Sequence, residues 1–213
     1  IAVAATKTYL TQIAVLYLLA LDLAQKRGVL SEEKQKSLLL EMRGLPKYMQ
    51  QVLDNRERIQ FFSSRAFAIK HVFFIGRGMD YALALEAALK LKEISYIHSE
   101  AYPAGELKHG TIALIEEGSL VVALATQPTL RAKIASNMEE VKVRGANVLL
   151  VSNGTWEGAK AHSHEQWELA ETDETLAPFL AILPMQLLAY YLAVQKGCAV
   201  DKPRNLAKSV TVE

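Results

Sequence analysis

The chain has 213 residues, 51% hydrophobic and 22% charged, which excludes disordered, collagenous and disulfide-scaffold classes and leaves room for one large domain or two small ones. Its 24 basic and 23 acidic side chains give a formal net charge of +1, without the clustered basic excess that a nucleic-acid or anionic-membrane surface demands. The lone Cys198 can form neither an intrachain disulfide nor a multi-thiolate metal site, and IAVAATKTYLTQ is not a signal peptide, so a cytoplasmic protein is expected. Ile1 in place of Met points to a piece of a longer one.

Thr6 to Arg27 has helical periodicity and stops at Gly28. Ser31 then caps a second helix, with Glu32 and Glu33 in its first turn, that is predicted to end at Gly44 and Pro46. A third spans Lys47 to Ser63. The texture changes at Lys70: His71–Gly76 reads as a buried strand and Asp80–Ile97 as a helix. Ala101–Thr111, marked by Pro and Gly, reads as a loop. A strand at Ser119–Thr126, a helix at Thr129–Arg144, a strand at Asn147–Ser152 and a short strand at Trp167–Ala170 follow. Thr175–Gln195 carries no charge over 21 residues, enough for a bilayer span. Its Pro178, Pro184 and Gln186, and the helical recurrence of its leucines, favour a buried core helix instead. This alternation predicts an α/β fold with an open, mostly parallel sheet covered on both faces.

Several residues are candidates for chemistry. Gly76-Arg77-Gly78 is half a dinucleotide fingerprint, but Tyr81 holds the third glycine position, so a tight strand-to-helix turn is the better reading. Glu86, Lys90 and Glu93 are spaced i, i+4 and i+7, within roughly 60° of one another on a helix. The pattern fits both a solvated ion-pair ladder and a cleft in which an ammonium holds a carboxylate ionised as a base. His109 lies where an imidazole can shuttle protons near neutrality. His162 and His164, two apart beside Glu165, match no metal motif, so no metal is expected. Cys198 has no base beside it in sequence and reads as structural. Lys208 sits in a polar tail, solvated unless the tail folds back into a cleft, where desolvation makes an amine nucleophilic.

The runs LEAALKLKEISYIHSEAYPAGELKHG at 85–110 and DKPRNLAKSVTVE at 201–213 resemble the C-terminal isomerase region of the glutamine–fructose-6-phosphate aminotransferases, and VAATKTYLTQ at 3–12 is similar to the matching segment of their first sugar-isomerase (SIS) half. The resemblance covers essentially the whole chain. It implies an SIS-type three-layer α/β/α fold: residues 1–43 as the end of a first SIS domain, 44–200 as a complete second one, and 201–213 as a tail entering the active site. It further implies a homodimer that takes fructose 6-phosphate and glutamine-derived ammonia to glucosamine 6-phosphate without a cofactor. Lys208 would form a Schiff base with the open-chain ketose, and Glu93 would move a proton between sugar C1 and C2. His109, from the partner subunit, would assist ring opening, with Lys90 and Glu86 in support. Val3, Ala5, Arg204 and Ala207 would line the site. The family's phosphate-gripping Ser/Thr loop and glutaminase nucleophile would lie before Ile1, and Ala5 replaces a serine common in relatives. The residue types agree with these roles, since proton transfer between carbons, ring opening and exchange at a carbonyl call for a carboxylate, an imidazole and an amine. Another SIS sugar-phosphate isomerase, deaminase or deglycase, or a non-catalytic sugar-phosphate sensor, would share the fold.

Overall fold

A computed structural model describes residues 2–209. Three helices come first: α1 (Lys7–Lys26), α2 (Glu32–Asp54) and α3 (Arg56–Ala66). Ser31 Oγ accepts from the Lys34 amide at 3.1 Å, the cap predicted for α2. That helix does not stop at Gly44 and Pro46; it runs unbroken to Asp54, and the predicted Lys47–Ser63 helix is divided between α2 and α3. The reason is tertiary. Leu38, Met42, Leu45, Met49 and Val52 form one stripe packed on the core, while Pro46 lies on the exposed face, where water can take the carbonyl its ring leaves unpaired. The boundary expected at 43/44 therefore falls inside a continuous helix.

The remainder is strand and helix in alternation: β1 (His71–Gly76), α4 (Met79–Ser95), β2 (His98–Pro103), β3 (Leu120–Ala125), α5 (Arg131–Lys142), β4 (Asn147–Asn153), β5 (Glu165–Leu169) and α6 (Ala177–Gln195). All five strands are parallel, in the order β2-β1-β3-β4-β5. β2 corrects the sequence reading, which took the segment near Ala101 as loop: HSEAYP has no apolar run because it is an edge strand, half open to solvent. The adjoining His109 stands in a 3-10 turn, Leu107–His109.

Alternate side chains of each strand feed two cores. Val72, Phe74, Val122, Leu149, Val151 and Trp167 face α2, α3, α4 and α6. Phe73, Ile75, Val121, Ala123 and Leu150 face α5 and several short turns. The second face is thus thinly covered. Most of α6 is buried, as a core helix and not a bilayer span requires. α1 also passes a length-and-composition test for a span, although no residue of it is fully buried.

Candidate active site

The centre of the candidate site is a charged stripe on a helix that is otherwise core. α4 buries Leu83, Ala84, Ala87, Ala88, Leu91 and Ile94, because it is sandwiched between the sheet and α6. Lys90 is only 4% exposed, so the solvated-ladder reading fails for it. Its Nζ lies 2.6 Å from Glu93 Oε2 and 3.5 Å from Glu86 Oε1, one ammonium held between two half-buried carboxylates. Burial raises the Glu86 pKa above the usual carboxylate value, and the charge of Lys90 opposes that rise. Across from the stripe, Tyr9 of α1 is pushed up to about 12, first by burial and then by the negative charge of Glu86. The stripe is therefore covered on the α1 side, and Glu86 is poorly solvated. A carboxylate beside an ammonium and partly shielded from water is suited to taking and returning a proton.

Two remote segments meet beside the end of α4. The Val3 amide donates to the Asp201 carbonyl at 3.1 Å, and Lys208 Nζ lies 3.4 Å from the Val3 carbonyl. The tail is anchored by Tyr96, three residues beyond Glu93: its hydroxyl accepts from the Arg204 amide at 2.7 Å, and the Arg204 guanidinium stacks 4.2 Å over its ring. Tyr96 itself has φ 59°, a left-handed helix end uncommon for a residue other than glycine, and its ring and hydroxyl both engage Arg204. Lys208 and Ala207 are exposed and Val3 and Ala5 half-buried, so an amine stands open at the junction of tail and N-terminal segment.

The structure thus joins Glu86, Lys90 and Glu93 to one another, Lys208 to Val3, and Arg204 to the C-terminal end of α4. His109 is not joined to them: it is exposed beyond the end of β2. His164 Nδ1 accepts from the Val148 amide, and His162 faces Glu139 at 3.3 Å, so the two histidines have separate partners. No three His, Cys, Asp or Glu side chains form a ready metal cluster among the described residues. Sequence reasoning missed Tyr9 and Tyr96; the only trace of Tyr96 was a helix end without glycine.

An open parallel sheet usually binds ligands where its strand order reverses, here between the carboxyl ends of β1 and β3. That crevice is filled by the chain's own side chains. Arg77 is bound to Asn137 Oδ1 through Nε at 3.1 Å and Nη2 at 2.9 Å, and buried Asp80 accepts from the Thr126 amide and hydroxyl at 2.8 and 2.6 Å. A Cβ on Gly76 would lie 2.4 Å from the Asp80 carbonyl carbon, so the glycine serves a tight turn, as the sequence reading preferred. A cavity of about 280 Å³ between α2, α3 and β5, lined by Tyr48, Asn55, Arg58 and Trp167, shares no residue with the charged stripe or the tail.

Residues 67–196 match the SIS domain family. Over all 213 residues the chain is 55% identical to the glutamine–fructose-6-phosphate aminotransferase [isomerizing] of Caldanaerobacter subterraneus subsp. tengcongensis, of which it covers 35%. The chain thus spans about a third of the length of the curated relatives it matches. Among solved structures it is similar to the C-terminal domain of glucosamine-fructose-6-phosphate aminotransferase from Francisella tularensis, with TM-score 0.88 and 35% identity over 95% of this chain and 57% of that one. It is less similar to a glucosamine-6-phosphate deaminase from Thermotoga maritima, with TM-score 0.68 and 26% identity over 99% of this chain and 58% of that one.

Proposed function

Because the chain belongs to the SIS domain family, we propose that it is the isomerase part of a glutamine–fructose-6-phosphate aminotransferase, converting fructose 6-phosphate and ammonia to glucosamine 6-phosphate. In this reading residues 1–43 end a first SIS domain, 44–200 form the second, and the tail 201–213, of which 210–213 lie outside the described residues, enters the site. A glutaminase domain of the longer chain supplies ammonia from glutamine, and the assembly is a cytoplasmic homodimer.

Lys208 condenses with the C2 ketone of the open-chain sugar, releasing water and forming an imine. Ammonia then displaces the lysine amine from C2, freeing Lys208 and leaving the imine of the sugar. Glu93 takes a proton from C1 and returns it at C2 while the imine nitrogen gains the proton that O1 loses, and Lys90 keeps that carboxylate ionised between transfers. Glu86 holds Lys90 from the other side. His109 of the partner subunit opens the ring. Val3, Ala5, Arg204 and Ala207 shape the pocket around the sugar. Ala5 offers the sugar no side-chain hydroxyl.

The observation that carries this reading is the approach of Lys208 Nζ to the Val3 carbonyl, which brings the nucleophile from the far end of the sequence to the N-terminal segment beside α4. The 55% identity over the whole chain supports the synthase above the deaminase. The test is borohydride reduction in the presence of fructose 6-phosphate, on a chain extended upstream to restore the first SIS domain. A sugar adduct is expected on Lys208 and is expected to vanish in Lys208→Ala. A folded, dimeric wild-type protein that traps no adduct at Lys208 would overturn the reading.

A further inference from the structure

The helix that carries the charged stripe ends where its sequence offers no stop signal. Helices commonly finish on a glycine in the left-handed region, where a Cβ is disfavoured, yet α4 finishes on Tyr96 at φ 59°. A bulky residue in that region is an outlier of the kind that collects at functional sites. One residue of the tail engages both the polar and the aromatic part of this side chain. The Tyr96 hydroxyl accepts from the Arg204 amide at 2.7 Å, and the Arg204 guanidinium lies 4.2 Å from the ring centroid. That cation stands at the carboxyl end of α4, where the helix dipole favours it. A second tie joins the same two segments one residue earlier on the helix: the Cys198 thiol lies 3.8 Å from the Ser95 carbonyl. Pro203, beside Arg204, is buried.

We propose that Tyr96 is a positioning residue for the reaction, mounting the tail that bears Lys208 on the helix that bears Glu93. The inference rests on the sugar-isomerising reading of the site and adds to it the part that refers nucleophile and base to one frame. Glu93 precedes Tyr96 by one helical turn, about 4.5 Å along the axis. Lys208 follows Arg204 by four residues, so its Cα is never more than about 14 Å from that anchor. In the proposed reaction amine and carboxylate act in turn on adjacent sugar carbons, and the phenol is the point from which both are placed. Val3, bound to the Asp201 carbonyl and approached by Lys208, is held against the same tail. Tyr96 acts through Arg204.

The experiment uses the chain extended upstream, as wild type, Tyr96→Gly and Tyr96→Phe, with borohydride trapping of fructose 6-phosphate and hydrogen exchange of the tail read by mass spectrometry. Glycine suits φ 59° and removes both contacts, whereas phenylalanine keeps the ring and loses the acceptor. A role confined to ending the helix predicts that Tyr96→Gly leaves folding, exchange and trapping unchanged. Positioning predicts an intact folding transition with tail exchange about tenfold faster, the combined effect of one hydrogen bond and one cation–π contact. The adduct at Lys208 should form about tenfold more slowly at saturating sugar, with the half-saturating concentration little changed, and Tyr96→Phe should fall between glycine and wild type. If the glycine variant does not fold, the phenylalanine variant carries both readouts. Tail exchange as slow as in wild type, or adduct formation as fast, would overturn the proposal. A wild type that traps no adduct counts against the sugar reading alone, and tail exchange in the two variants then decides the role of Tyr96.

Discussion

Taking Lys90 out of water costs several kcal/mol, which only the two carboxylates beside it offset. Sequence spacing could show that Glu86, Lys90 and Glu93 share a stripe, but i, i+3 and i, i+4 pairs look the same on a solvated helix and in a cleft. What separates the two cases is the packing of α1, α4 and α6, which no local pattern contains. Tyr9 reports that packing. Its phenol is pushed up to about 12, so between about pH 10 and 12 the unfolded chain ionises this tyrosine while the folded chain keeps its proton. The native state then binds more protons than the unfolded one. The contribution is fully present below pH 10 and is lost as pH rises toward 12. Denaturant midpoints across that interval should fall less steeply for Tyr9→Phe than for wild type. Glu86→Gln should shift the Tyr9 titration, followed by tyrosinate absorbance, downward, because the carboxylate is the second cause of the rise.

Among elements, the parallel strands β1, β3 and β4 were legible as short apolar runs because both faces of a covered parallel sheet are dry. β2 was not, since an edge strand needs apolar residues on only one side and carries His98, Glu100 and Tyr102 instead. α2 was misread for the opposite reason: Gly44 and Pro46 are strong local stops, and a continuous apolar stripe from Leu38 to Val52 overrides them. That override leaves a cost in place. A proline inside a helix is about 3 kcal/mol worse than alanine, a net figure that already contains the lower freedom of proline in the unfolded chain. Pro46→Ala should therefore stabilise the protein by up to about 3 kcal/mol, read as a higher denaturant midpoint at unchanged slope. No gain would mean that α2 bends at Pro46 in a way its packing requires.

Across the whole molecule, the proposed site residues come from distant places in the sequence, and the fold brings the tail and the N-terminal segment into contact beside the end of α4, while His109 stands apart. The anchor is one phenol. Tyr96→Phe removes the acceptor of the Arg204 amide, and the freed tail should also release Val3, whose own partner is Asp201. Native-state hydrogen exchange should speed up at both amides. Faster exchange at Arg204 alone would show that Val3 and the tail are held independently.

Val3 and Lys208 are 205 positions apart and lie within hydrogen-bonding reach. In topological terms the described chain is a ring whose seam runs through the proposed sugar site, with the peptide backbone as its long arc and two hydrogen bonds as its clasp. A ring has no privileged place to be opened. Opened at the exposed turn of Gly158, the described chain should still bring Val3 and Lys208 together, because the clasp joins segments on opposite sides of the cut.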